Sequence, residues 1–144
     1  MSTMNAAIRA SASALAAERM RIEVAVSNLA NAESTRGADG QVYRRRDVVL
    51  GADNVQSFDA ALGKAATAVG VKVAAIVEDQ SAPRVRYEPN NPDANAEGYV
   101  ALPNVDPAEE MVDMMGAARA YQANLTAIGL IRDLVQRALD LGRA

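Results

Sequence analysis

The chain has 144 residues, half of them hydrophobic but only 3% aromatic, and a formal net charge of −3 at pH 7. That is the length of one ordinary domain, and the charge is too weak for a protein built on nucleic acid or an anionic membrane surface. Cysteine and histidine are both absent, which removes disulfides, thiolate nucleophiles, imidazole bases and nearly every zinc site.

Residues 1–36 contain neither glycine nor proline. Within them Ile8, Leu15, Ile22 and Leu29 recur every seven residues, and Ala12, Ala25 and Val26 widen the stripe. The spacing predicts one helix over about 3–32, roughly 45 Å long at about 1.5 Å per residue, stopped by Gly37 and Gly40. No secretory signal is expected here, because Arg9 follows apolar residues and Glu18, Arg19 and Arg21 interrupt any apolar segment. Near the helix end, Asn28 and Asn31 suit hydrogen bonds that cross-link neighbouring helices. The plainer reading is that they only end the helix, since Asn competes with the helical backbone.

Residues 41–50 (QVYRRRDVVL) read as a strand after a Gly-rich turn. Arg44, Arg45 and Arg46 alternate faces there, so a solvated edge is expected, with pairing to acids of a neighbouring subunit as the functional alternative. Three arginines without interleaved aromatics do not make a nucleic-acid site. Residues 51–69 read as a long mobile loop, with a short helical turn over 58–64. Residues 71–77 (VKVAAIV) are the clearest strand. Residues 83–87 form another, with Val85 and Tyr87 on one face, and 98–102 (GYVAL) a last one. Between these two the segment EPNNPDANAEG is a turn region. Asp93, Asn95, Glu97, Gly98 and Val100 match positions of a calcium loop, but Asn104 stands where the bidentate Glu belongs and Pro89, Pro92 and Pro103 deny the flanking helices. A solvated turn is expected, and no metal.

The last helix starts clearly. Asp106 can cap it, Pro107 fits the first helical position and Glu109 follows three residues after the cap. It runs about 35 residues with Gly142 as its natural stop. Its seam is Met111, Met114, Ala118, Tyr121, Leu125, Ile128, Arg132, Val135 and Leu139, apolar but for Arg132. Such a stripe must be covered by other helices. The methionines suit adaptable packing, and Tyr121 suits a core position whose hydroxyl reaches a polar neighbour. Gly116 and Gly129 cost about 1 kcal/mol each relative to Ala. With Ala117, Ala120, Ala123 and Ala127 they leave a smooth surface where another backbone can come close, unless they are tolerated defects. Asp106, Glu109, Glu110 and Asp113 crowd a helix start, which the helix dipole favours; without His or Cys they are not read as an acid–base pair. Alanine, the commonest residue, forms helix cheaply but buries little area, so much of the packing is expected from other chains.

The stretch SASALAAERMRIEVAVSNLANAEST resembles the rod and hook family of bacterial flagellar axial proteins. In that family a Ser-rich segment precedes an apolar heptad run, which here closes on Asn28, Leu29, Ala30, Asn31, Ala32 and then Thr35. The closing helix, with Glu110, Met111, Met114, Arg119, Ala120, Tyr121, Ala123 and Asn124, is similar to that family's last helix. Residues 87–111 (YEPNNPDANAEGYVALPNVDPAEEM) resemble a proximal rod member, which the length also suits. Gln122 departs from the pattern, where an acidic residue is more usual, and residues 51–82 add nothing.

The resemblance implies a structural protein without enzymatic activity or cofactor. The expected fold is mainly α with a small β region, the long terminal helices pairing as a coiled coil with short antiparallel strands and loops between them. Residues 1–36 and 104–144 are the axial helices of an inner core, and 37–103 a β-rich outer domain. The expected subunit-packing residues are Ile8, Leu15, Ile22, Val26, Asn28, Leu29 and Asn31, and Met111, Met114, Ala118, Tyr121, Asn124, Leu125, Ile128, Val135 and Leu139. Expected partners are copies of itself, other rod subunits, the membrane-ring and adaptor proteins of the basal body and the flagellar type III export apparatus, with neither nucleic acid nor small-molecule substrate. The expected location is the rod spanning the periplasm. The alternatives are another short proximal rod subunit or a soluble helical-hairpin export or assembly adaptor. Exposed stripes on a free chain are a liability, so the termini are expected to order only on assembly.

Overall fold

The computed structural model describes residues 2–37, 40–53 and 70–142. The elements run α1 (Ser2–Asn31), β1 (Arg46–Asp53), β2 (Gly70–Glu78), β3 (Arg84–Tyr87), β4 (Tyr99–Leu102) and α2 (Pro107–Leu141). The described part is thus mostly helical, two long helices with short antiparallel strands between them, and both helices begin and end within about two residues of the expected positions.

The start of α2 is built as its sequence reads. Asp106 accepts a hydrogen bond from the Ala108 N–H, Pro107 opens the helix and Glu109 and Glu110 lie in the first turn. At the other end the Gly142 N–H reaches the Ala138 carbonyl at φ −80, so no left-handed residue is needed there.

The strand expected over 41–50 starts only at Arg46 and runs on to Asp53, so the expected loop over 51–69 begins inside a strand. Ahead of it the Gly37 N–H donates to the Gln41 carbonyl and the Gly40 N–H to the Gly37 carbonyl, with Gly40 at φ +78. The helical turn expected over 58–64 lies outside the described residues. β1 and β2 pair antiparallel from Arg46↔Glu78 to Asp53↔Gly70, with an irregularity between Val49 and Leu50. β3 and β4 pair from Arg84↔Leu102 to Tyr87↔Tyr99, and the two terminal tyrosines meet edge to face at 5.3 Å.

α1 is the shared element. It packs against α2 and against both strands of the first hairpin. The helices are antiparallel, since Asn28 meets Glu110 while Arg19 lies near Tyr121. The β1–β2 hairpin runs back along α1, fixed at one end by Asn28 on Arg46 and at the other by Ser13, whose Oγ accepts from the Val71 N–H at 3.0 Å. Gly70 makes that second approach fit, because a Cβ there would run into Ser13 Oγ. The second hairpin is tied to the exit of α1. Arg86 bonds Glu33 at 2.7 Å, the Thr35 hydroxyl donates to Asp93 at 2.6 Å and Arg36 pairs with Asp93.

The core is small. Its buried apolar residues among those described are Ala17, Ala25, Ala32, Val100, Leu102, Val105 and Ala117, and Asn28 and Glu110 are buried beside them. Alanines on facing helices let backbones come close, but they leave the large apolar side chains outside.

Candidate assembly surface and its polar clasp

Counting heptads on α2 from Glu110 shows which face α1 covers. Glu110 and Ala117 are buried, and Asn124 and Ile131 half-buried, at seven-residue steps. Met114, Tyr121, Ile128 and Val135, four further on in each heptad, are half-buried beside them. The expected seam shares that second row. Its other row, Met111, Ala118, Leu125, Arg132 and Leu139, lies next round the helix and is exposed. The covered stripe is therefore rotated from the apolar seam toward Glu110, Ala117 and Asn124, where small and polar residues admit α1 closely. On the opposite side of the covered stripe Leu130, Leu134 and Leu141 are also exposed.

On α1, Ile8, Leu15, Ile22 and Leu29 are all half-buried, Val26 is exposed, and full burial falls on Ala17, Ala25 and Asn28, and on Ala32 just past its end. A side chain added at Gly116 or Gly129 would meet nothing within 4 Å, so the smooth surface around them faces no other part of the described chain.

Of the two asparagines, Asn31 acts locally, its Nδ2 donating to Ser27 O at 2.8 Å. Asn124 likewise bonds within its own helix, to Ala120 O at 2.9 Å. Asn28 cross-links three elements and is 1% exposed. Its Nδ2 donates to Arg46 O at 2.8 Å and to Glu110 Oε2 at 3.0 Å, and its Oδ1 accepts from the Arg46 N–H at 2.9 Å and the Tyr43 hydroxyl at 2.9 Å. The amide thus meets both backbone groups of Arg46, as a neighbouring strand would. Glu110, 2% exposed, accepts through Oε1 from Arg45 Nε at 2.6 Å. Arg45 also bonds Asp47 at 2.6 Å and lies 3.6 Å from Asp113. Burial opposes the Arg45 charge, but the hydrogen bond and charge of Glu110 outweigh it and raise its pKa above the ordinary arginine value.

This corrects the solvated-edge reading of the arginine run at Arg45, which is folded inward. Arg44 bonds Gln80 at 2.9 Å, and Arg46 pairs with Glu78 and lies over the Tyr43 ring at 5.6 Å. The acidic helix start likewise holds more than a dipole effect, because Glu110 is a buried ion-pair partner. The signal for it is a charge seven residues before Ala117, on the covered row. In the turn over 88–98, Asn95 Oδ1 accepts from the Glu97 and Tyr99 N–H groups, and Asp93 takes Thr35 and Arg36. Those oxygens serve the loop and its tie to the exit of α1. The arrangement as a whole holds two helices and a hairpin in fixed relation and leaves both flanks of α2 open.

Two flagellar families match the chain. Residues 8–38 match the flagella basal body rod protein family, and residues 96–141 the C-terminal family of flagellar basal body rod FlgEFG proteins. The flagellar basal-body rod protein FlgC of Salmonella typhimurium is 47% identical over 131 residues, 91% of this chain and 92% of its own length. The FlgC of Bacillus subtilis is 43% identical over 94% of this chain and 96% of its own, and that of Borreliella burgdorferi 36% identical over 93% and 94%. With such identity over most of both chains, this chain belongs to the FlgC family of flagellar basal-body rod proteins, a family of structural subunits rather than enzymes.

Proposed function

We propose how this chain carries out the work of a structural subunit of the proximal rod. α1 and α2 pair as a coiled coil in the inner core of a hollow shaft, the strands of residues 37–103 face outward, and copies polymerise through the flanks of the helix pair. One observation carries this reading. After α1 has covered its stripe of α2, Met111, Leu125 and Leu139 on one flank and Leu130, Leu134 and Leu141 on the other remain exposed. Burying one such side chain contributes about 1.5–3 kcal/mol, so each pair has a strong drive to acquire two more helical neighbours.

Head-to-tail contacts that do not close into a ring extend into a helical array, and close-packed helices resist the twist and bending that torque imposes. Gly116 and Gly129 are then places where a neighbouring backbone approaches. Partners are copies of this chain, other rod subunits and the ring and adaptor proteins at the rod base. The subunit reaches the periplasm through the flagellar type III export apparatus. Leu125→Asp puts a charge on the open flank while sparing the α1 contact. Its expected result is loss of motility with the variant missing from purified basal bodies; normal swimming would overturn the proposal.

A further inference from the structure

We infer that the Asn28–Arg45–Glu110 clasp makes pairing of the two helices conditional on the folded β1–β2 hairpin, so that only a subunit whose hairpin has formed can complete its helix pair as it joins the shaft. The inference rests on the reading of the helix flanks as the assembly surface. Glu110 lies on the covered row of α2 and is 2% exposed. A buried carboxylate without a partner is among the costliest groups a fold can hold. α1 offers it one amide hydrogen bond, from Asn28. Its cationic partner, Arg45, belongs to neither helix. Arg45 immediately precedes β1, and its carbonyl accepts from the Asp79 N–H at 2.8 Å, just beyond β2. The open end of the hairpin, where the chain enters β1 and leaves β2, therefore places the guanidinium.

The same end presents Arg46, whose backbone is met on both sides by Asn28. Of the other arginines around Glu110, Arg21 is engaged with Glu18 at 3.0 Å and Arg46 belongs to the hairpin itself, where it pairs with Glu78 at 3.5 Å. Without the hairpin, then, helix pairing encloses a carboxylate with a single amide for company. Alanine-rich helix faces are permissive about register and partner, and a buried polar group is the device that restricts such choices.

The test is complementation of a strain lacking its own copy, reading swimming and the amount of the chain in purified basal bodies. Arg45→Leu strands Glu110, and ~100-fold loss of the paired state is expected, the low end for stranding one partner of a buried ion pair. Glu110→Leu leaves Arg45 with Asp47 and Asp113 and is expected to assemble within about threefold of the native chain. The double variant is expected to match Glu110→Leu, because no carboxylate remains to be satisfied. A merely destabilising Arg45→Leu would instead be worsened by the second change. Native-like assembly of Arg45→Leu overturns the inference, as does a double variant no better than Arg45→Leu. Leu125→Asp, run alongside, separates the two proposals: if it fails to assemble while Arg45→Leu succeeds, the clasp inference falls and the assembly surface stands.

Discussion

Asn28 and Asn31 stand one helical turn apart in a repeated Asn motif, yet their surroundings differ completely. Asn28→Ala leaves the Arg46 N–H and carbonyl and one Glu110 oxygen short of a partner, and the Tyr43 hydroxyl with Ser27 Oγ alone, at about 2–4 kcal/mol in total. Asn31→Ala removes only a bond to its own helix and is expected within about 0.5 kcal/mol. Heating isolated rods and following release of this subunit checks the difference: release shifts to lower temperature for Asn28→Ala and stays put for Asn31→Ala. The sequence leaves the two alike because only the arrival of β1 and α2 beside Asn28 distinguishes them. Asp79 gives a second residue-scale expectation. The hydroxyl and then the backbone N–H of Ser81 hold its carboxyl below the ordinary aspartate range. A depressed carboxyl adds stability above its ordinary pKa and loses it as pH falls through the lowered value. Carbon-13 NMR titration should place Asp79 below a free aspartate, and Ser81→Ala should move it back up.

At the scale of elements, the helices, the cap of α2 and the strands at 70–78, 84–87 and 99–102 were readable because each rests on local chemistry: periodicity, Asp-Pro at a start, Pro and Asn in turns. What was not readable depends on pairing across the chain. The first strand is shifted because its partner ends at Glu78, and the covered stripe of α2 is rotated because α1 meets it through Glu110 and Ala117 rather than through the largest apolar residues. The Arg45–Glu110 pair was hidden for the same reason, since each lies in a local cluster of like charge with an adequate local explanation. Gly70 tests such a cross-element fit. Gly70→Ala drives a methyl against Ser13 and is expected to cost about 1–3 kcal/mol in docking of β2 on α1. The readout is faster hydrogen exchange at the Val71 N–H, which donates to Ser13. Gly51→Ala is the control, because its added Cβ makes an ordinary 3.4 Å contact with Ala74.

Across the whole molecule, the large buried apolar side chains and the longest helices are in different places. Val100, Leu102 and Val105 are enclosed around β4 and the start of α2, whereas the helix pair is enclosed mainly at Ala17, Ala25 and Ala117 and at the clasp. Ordering a residue costs about 1–2 kcal/mol in backbone entropy alone, and helices of 30 and 35 residues must meet that cost along their full length. Alanine contacts, half-buried larger side chains and one polar clasp do not offset it, while Leu125, Leu130, Leu134 and Leu139 still face water. Burial by neighbouring subunits supplies what is missing, so the helices should order as the shaft grows. Circular dichroism of the purified chain is therefore expected to show far less helix than α1 and α2 together contain, with the remainder gained on assembly. Hydrogen exchange on the same sample should find the β3–β4 hairpin protected while both helices exchange quickly. A purified chain that is fully helical and protected throughout would mean that alanine packing suffices, and that the exposed leucines are not what completes the fold.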